Sequence, residues 1–538
     1  MLGRELSPLE EVDREPTIIQ PGRVSRLALI SVIALSLLPL SACTNAMPGE
    51  VLVRIEVDPR LPVQTLRVAV TLGDGSEPMS AEAPVRGSDR VELPWTVAIQ
   101  RASSTEAVIV ELEGRESDGT ATVRRAALNI APGVSSIDLA LDASCRGVVC
   151  EQGESCAAGS CAPIPSVEAG RSCGASCLGR CLDGLCLPSL YRPFPTLALG
   201  GRHTCAVMQG VVRCWGNNDH IQLGPDALNG VGSPLIGGRV LGLAAAATEG
   251  ELSSGEQTCA LLETGVLCWG GTNDAGQLGP EIPPPWDPFS VAVPGATRIA
   301  TQERTLYWLE PTGLLRVQGG GLSAQGLSNP SGEPVVFPDG EAVVDVSVGD
   351  GVGCAILTSR RVACWGDNRA GVIDPNAGGG TNWAPTIVDG LSDVVRIAVT
   401  LEHACAVTSS GAMRCWGTDF SGSLCAPADG AATIDVELPE AAMDVALGFE
   451  STCVITVTGR TFCCGVADAF SEWRVPRELP EVARATEIVG SHEHRCARGL
   501  EGDVWCWGEN ISGCVDPTAC SEPGFCGYVD RPRQVVLP

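Results

Sequence analysis

Between residues 50 and 142, apolar and polar residues alternate in short runs: Val51–Val57, Thr65–Leu72, Arg90–Leu93, Thr96–Gln100, Ala107–Leu112, Val123–Ile130 and Ile137–Leu141. A period of two puts one side chain inward and the next outward, the pattern of a half-buried strand. Turn-forming stretches such as Leu72-Gly73-Asp74-Gly75 and Ser117-Asp118-Gly119 separate the runs. About seven short strands at this spacing predict a small antiparallel β-sandwich over residues 50–142.

From Thr196 onward the alternation becomes a repeat. Thr204-Cys205-Ala206-Val207 leads through a turn into Arg213-Cys214-Trp215-Gly216, and the same hairpin returns as Cys259/Cys268-Trp269-Gly270, Cys354/Cys364-Trp365-Gly366 and Cys405/Cys415-Trp416-Gly417. Cys453/Cys463-Cys464-Gly465 and Cys496/Cys506-Trp507-Gly508 follow, and a decayed copy between the second and third has Tyr307 and Val317-Gln318-Gly319. Each unit adds strands such as Pro385–Val388 and Val394–Val399, and a polar loop such as Asn273–Gly279. Four strands per unit, seven times over, predict an all-β C-terminal propeller spanning residues 196–538. The first unit lacks the opening Pro/Val strand, while the chain ends on one, Pro532–Pro538. That final segment is therefore expected to pair into the first blade and close the ring without an open edge.

The hairpin cysteines lie nine or ten residues apart across tight turns. Directly opposed residues of an antiparallel pair have Cα atoms roughly 4.5–5.5 Å apart, within disulfide range. Six intra-hairpin disulfides are predicted: Cys205–Cys214, Cys259–Cys268, Cys354–Cys364, Cys405–Cys415, Cys453–Cys463 and Cys496–Cys506. Each closes a loop of about ten residues, worth on the order of 2–3 kcal/mol. The Trp after each second Cys belongs on the opposite face of its strand, packed between blades. His203, His403 and His494 stand two residues before a Cys and read as structural groups bonding the turn, with a shared metal site as the rival.

Composition narrows the compartment. With 26 Cys, the chain belongs in an oxidising space. Arg23 and Arg26 precede an apolar run, Leu27–Leu40, that ends in Leu40-Ser41-Ala42-Cys43. That order of charge, apolar core and small residues is a secretion signal over 23–42 within a signal region 1–42, and the acidic residues 1–20 read as a start-site extension. Leu-Ser-Ala-Cys resembles a bacterial lipobox, which implies lipid on Cys43 and a place in the bacterial cell envelope, at the outer membrane or cell surface. Eight cysteines between 145 and 186 sit among Gly, Ser and Ala, too little apolar bulk for a core, so disulfides are expected to hold a Cys-rich stalk there. Five remain, namely Cys425, Cys464, Cys514, Cys520 and Cys526, an odd number that predicts one free thiol, with Cys464 the candidate because it replaces the packed Trp.

The formal net charge is -28, and every basic residue is Arg. From Thr196 on there are 19 Arg against 40 Asp and Glu, so phosphate backbones are repelled and no nucleic acid partner is expected.

Gly201-Arg202-His203-Thr204-Cys205-Ala206, the Cys-Trp-Gly tripeptides and Gly276-Gln277-Leu278-Gly279 resemble the regulator of chromosome condensation repeat family, over 343 of the 538 residues. The resemblance implies a seven-bladed propeller. The family's nuclear member is an exchange factor for a small GTPase that docks on chromatin, roles that a secretion signal and this acidity contradict. A secreted beta-lactamase inhibitor of the family uses the propeller as a binding platform.

Three readings of function follow. The first is an anchored module whose propeller binds a protein or glycan through inter-blade insertions such as Pro280–Pro288, Asp374–Asn382 and Cys514–Cys526. The second is a structural envelope protein, and the third a polysaccharide hydrolase or lyase using paired carboxylates in the central channel. No nucleophile, metal or phosphate motif marks an enzyme, and no cofactor is implied.

Overall fold

The computed structural model describes residues 28–32, 49–72, 78–85, 95–101, 108–129, 133–157, 159–168, 170–171, 180–182, 185–188, 196–208, 211–224, 252–254, 257–262, 265–271, 276, 289–291, 293, 295–302, 305–320, 329–374, 379–425, 433–468, 471–482, 484–510, 512–516 and 527–536. The fold is all-β. The N-terminal alternation builds two five-stranded sheets. One runs in the order Ala28–Val32, Trp95–Arg101, Gly49–Val57, Gly133–Leu141, Gly170–Arg171. The other runs Ser166–Glu168, Ala121–Asn129, Val108–Glu116, Val63–Leu72, Met79–Pro84. Inward residues at every second position, such as Val53, Ile55 and Val57 against Val108, Val110 and Leu112, form one core.

The strands differ from the expected set in three places. Met79–Pro84 is an edge strand that the alternation did not single out, and residues 90–93 lie outside the described residues. Ala28–Val32, inside the run read as a secretion signal, pairs in parallel with Trp95–Arg101, while the other four strands of that sheet pair without it.

The Cys-rich stretch 145–186 is not the free stalk expected of it. Cys145–Cys156 and Cys150–Cys161 are interleaved disulfides. They hold a segment whose Ser155 Oγ accepts from Arg125 N at 2.8 Å and whose Cys156 carbonyl accepts from Arg124 at 2.8 Å. Its later residues then add Ser166–Glu168 to one sheet and Gly170–Arg171 to the other. A second hairpin, Arg180–Leu182 with Leu185–Leu187, places Cys181 opposite Cys186, and Cys186 packs against the sixth propeller blade. The physical reason is that the alternating residues of the stretch offer unpaired backbone groups to sheets that still have open edges.

Seven further sheets make the propeller. Their first strands (Leu197–Leu199, Leu252–Ser254, Arg298–Gln302, Val343–Gly349, Val394–Val399, Ala442–Gly448 and Ala485–Gly490) touch one another around a closed ring and are the inner strands of blades 1 to 7. In each blade the two hairpin strands follow outward, as His403–Thr408 and Met413–Gly417 do in blade 5.

The phase of the repeat corrects the expected closure. Thr381–Ile387, which contains the Pro/Val strand read as opening a unit, is instead the outermost strand of the preceding blade, paired with Val362–Asp367. Likewise the last strand, Tyr528–Gln534, pairs with Val504–Glu509 inside blade 7 and contributes nothing to blade 1. The ring closes through side chains. Glu487 of blade 7 is half-buried and accepts from Thr196 N at 2.8 Å, Thr196 Oγ1 at 2.5 Å and Leu197 N at 2.9 Å, all in blade 1. Arg498 donates to Val207 O at 2.7 Å across the same seam.

Glycine lets the inner strands converge at their C-terminal ends. A Cβ on Gly349 would lie 2.2 Å from Val399 O, and one on Gly490 would lie 2.2 Å from Leu447 O. Backbone this close admits no methyl group. Gly490→Ala is therefore expected to lower stability by about 1–3 kcal/mol. Gly201→Ala, where the added atom meets nothing within 4 Å, is expected to stay within about 0.5 kcal/mol. Urea midpoints of the two variants check both.

Candidate functional site

The repeated chemistry-bearing residues meet at the seams between blades. The paired cysteines are directly opposed in register, with Cα separations of 4.1 Å in Cys405–Cys415 and 4.0 Å in Cys259–Cys268. Cys205–Cys214, Cys354–Cys364, Cys453–Cys463 and Cys496–Cys506 are likewise bonded. All twelve are buried. Four of the six hairpin disulfides form the floor on which the next blade's repeat indole rests, and three of these are Cys205 and Cys214 with Trp269, Cys354 and Cys364 with Trp416, and Cys453 and Cys463 with Trp507. The seventh seam closes the ring the same way, with Trp215 of blade 1 on Cys496 and Cys506 of blade 7. Trp269 Nε1 donates to Gln222 O at 2.9 Å and Trp416 Nε1 to Val372 O at 2.7 Å, both in the preceding blade's loop.

Where the repeat decays, other groups fill the space. Tyr307 takes the place of a disulfide in blade 3, and Trp365 packs on it with ring centroids 6.0 Å apart and Phe337 edge-on at 5.6 Å. Gln318 replaces a seam Trp, and Trp308 of the neighbouring strand joins the cluster around Cys259 and Cys268 instead. Rings and disulfides this deep offer no face to a sugar and no exposed sulfur for redox exchange.

His403 and His494 bond the turn, as their spacing suggested, and all three histidines also cross a seam. His203 Nε2 lies 2.8 Å from Thr258 Oγ1, His403 Nε2 2.9 Å from Thr452 Oγ1, and His494 Nε2 2.7 Å from Thr204 Oγ1. Thr204 and Thr452 use their hydroxyl protons on Cys514 O and Ser423 O, so Nε2–H of His494 and His403 is the donor. Nδ1 of His494 lies 3.0 Å from Ser491 Oγ, which also lies 3.2 Å from His494 O. The rings are neutral and fully engaged: burial pushes His203 down to about 4, and His403 and His494 to about 3. They do not converge on a common ion.

The leftover cysteines require a correction. Cys464 is not free; it bonds Cys425 of the preceding blade's loop, 39 residues away in sequence, with a Cα separation of 5.3 Å. Cys464 stands where other blades place Trp, so the one seam that lacks an indole and retains its hairpin disulfide is stapled covalently. Among the described residues the free thiol is Cys514, buried against Trp215 and pushed up to about 12 by burial and by Glu493 and Glu509. Such a thiol is not a nucleophile at neutral pH. Cys43, Cys520 and Cys526 lie outside the described residues. Among the described residues the single grouping of metal-type side chains is Cys150, Glu154 and Cys161, and both sulfurs there are already in a disulfide.

The two faces of the propeller differ. One carries short hairpins, among them the five-residue ones closed by Thr408 N to Ala412 O, Leu357 N to Arg361 O, Thr456 N to Arg460 O and Gly499 N to Asp503 O. The other carries the turns before the first Cys and every connection from third to fourth strand, including those with the long insertions after Gly270, Asp374 and Asp516. An Asn or Asp two residues past Cys-Trp-Gly organises the start of these connections. Asn218, Asn368, Asp419 and Asn510 accept from the amides of Leu223, Ile373, Leu424 and Val515 at 2.8–3.0 Å. Carboxylates crowd this face: burial with Asp367 and Asp350 nearby raises Glu402, and burial with Glu509 raises Glu493.

The chain is similar to yeast RCC1 (Prp20), solved bound to Kap60, with a TM-score of 0.53 and 17% identity over 61% of this chain and 83% of that one. It is similar also to Prp20p from Saccharomyces cerevisiae, described with its binding to Gsp1p and histones, with a TM-score of 0.52 and 18% identity over 64% and 87%. The likeness gives the fold: an RCC1-like repeat propeller. No protein-family model matches the chain, and no curated protein does.

Two outcomes are expected from the seams. Cys425→Ser with Cys464→Ser frees a 39-residue loop in the unfolded chain and is expected to cost roughly 3–4 kcal/mol in denaturant unfolding, more than removal of any one hairpin bond. The buried histidines fold with pKa values below their ordinary value near 6.5, so the unfolded chain binds more protons as pH falls. Their contribution is complete above about pH 6.5 and is lost towards pH 3–4. By pH 5 each is expected to remove about 2 kcal/mol. Urea titrations from pH 7.5 to 4.5 check this, and His403→Gln is expected to flatten the slope.

Proposed function

We propose that the chain is a lipid-anchored bacterial envelope protein, held through Cys43, whose propeller is a binding platform for a protein partner. The observation that supports the platform is the asymmetry of the ring. The acid–base and sulfur groups of the repeats are consumed inside the seams, so one scaffold is held constant while the face with the long connections varies from blade to blade. Variable segments on a rigid frame are the usual location of recognition. Consumption of those groups also argues against catalysis, because a general base or nucleophile must reach its substrate. The two similar propellers are themselves described in complexes or binding studies with proteins, which supports a protein partner ahead of a glycan.

The anchor rests on Leu40-Ser41-Ala42-Cys43 and the apolar run before it. Two or more acyl chains, at about 0.8 kcal/mol per buried CH₂, hold a protein at a membrane, whereas one chain does so only marginally. The structure contains no helix long and apolar enough to cross a membrane among the described residues.

Capture from membrane extracts tests both parts. Wild-type protein is expected to carry diacylglycerol on Cys43 by intact mass and to recover a specific partner. A variant shortened in Pro280–Pro288 and between Asp374 and Asn382 is expected to lose that partner while keeping its lipid. Equal recovery by both proteins, or an unprocessed thiol-rich mass, is the result that sinks the reading.

A further inference from the structure

On the face with the long connections, three aromatic rings from three successive blades form a ladder. Phe420 of blade 5 stacks on Phe449 of blade 6 with centroids 6.1 Å apart and planes at 18°, and Phe449 stacks on His492 of blade 7 at 4.5 Å and 26°. Phe420 is 40% exposed and His492 is exposed as well, with Phe449 half-buried between them, so the ladder reaches solvent at both ends. The seams do not use it. Phe449 and His492 occupy the turns between inner and second strands, and Phe420 follows the third strand of its blade, so topology brings all three to the same end of the ring.

A carboxylate adjoins each ring in sequence: Asp419 beside Phe420, Glu450 beside Phe449 and Glu493 beside His492. Glu402 continues the series into blade 5. Four arginines lie nearby: Arg474 is 3.5 Å from Asp419, Arg202 is 3.6 Å from Glu493, Arg369 is 2.7 Å from Asp367 and also attracts Glu402, and Arg495, buried beside Gly448, attracts Glu450. The Glu450 and Glu402 carboxylates accept no hydrogen bond among the described residues. The chain as a whole is acidic, with a formal net charge of -28.

We infer that the ladder and its flanking carboxylates form a docking surface for a basic, arginine-bearing segment of a protein partner. A guanidinium is planar: it stacks on an aromatic face and at the same time donates in its own plane to a carboxylate. Rings alternating with carboxylates at the spacing of successive blades present that combination several times over, which suits an extended segment with more than one arginine. An acidic or apolar segment would cover Glu450 and Glu402 without offering either a hydrogen-bond donor, a cost the basic segment avoids. The inference rests on the binding-platform reading and specifies its partner.

Fluorescence anisotropy of a labelled nona-arginine peptide against the full chain tests it. Wild-type protein is expected to bind. Phe420→Ala with Phe449→Ala is expected to weaken binding about tenfold, and Glu450→Gln with Glu402→Gln by a similar factor. Phe420→Tyr keeps a ring and is expected to keep affinity, which separates loss of stacking from loss of folding. Asp435→Asn with Glu478→Gln, on outer strands away from the ladder, changes the net charge equally and is expected to stay within about twofold. If the outer-strand variant loses as much as the ladder variant, binding reports only overall acidity and the docking surface is wrong. Unchanged binding after removal of both rings, or no binding by the wild type, also overturns it. Capture of a partner that depends on the long connections while the ladder variants bind it normally would keep the platform and remove the arginine-recognising surface.

Discussion

The propeller depends on one contact made again at successive seams: an indole from one blade laid on the hairpin disulfide of the blade before it. Both halves come from adjacent residues of the same strand, because Cys and the following Trp point to opposite faces. One tripeptide therefore supplies the floor of one seam and the ceiling of another. Seven sheets that each need both neighbours can be satisfied only by a closed ring, since an end blade would leave either a bare disulfide or a bare indole in water. This requirement sets the architecture more firmly than any single strand pairing does.

It also explains how the ring closes without exchanging a strand between its ends. Trp215 on Cys496 and Cys506 repeats the packing found at three other seams, so the terminal seam needs no special sheet. What distinguishes it is polar: Glu487 holding Thr196 and Leu197, Arg498 reaching Val207 O, and His494 against Thr204. Oriented bonds of this kind fix the angle at which the last blade meets the first, which apolar contact alone leaves free. The Cys425–Cys464 bond has a parallel role at the seam where the indole is missing.

Much of this was legible in the residues, and the misses have a common cause. Hairpin cysteines, inter-blade tryptophans and seven units follow from local spacing, so alternation and turn chemistry suffice to place them. The phase of the blade did not, because a strand between two hairpins can pair with either, and only tertiary packing decides. The seam histidines were half read for the same reason, their second partners lying 49 to 290 residues away. A signal was nonetheless present. Threonine precedes the first Cys in Thr204, Thr258 and Thr452, and in each case the preceding blade around the ring carries the histidine. Comparing successive units rather than aligning equivalent ones would have exposed that pairing, and likewise Cys425 before a unit whose Trp is Cys464.

Rigid seams carry a consequence for recognition. When titratable and sulfur groups are buried as neutral, paired or oxidised species, the frame neither reacts nor rearranges, and the free energy of ordering it is already spent in folding. A partner then meets surface groups whose positions are set by blades rather than by their own flexibility, so little side-chain entropy remains to be lost on contact. The Phe420–Phe449–His492 ladder illustrates the point. Each ring is carried by a different blade, and their stacking distances are fixed by the seams beneath them. A change in seam packing would therefore be felt at the surface as a change in ring spacing, which couples the stability of the ring to whatever the face recognises.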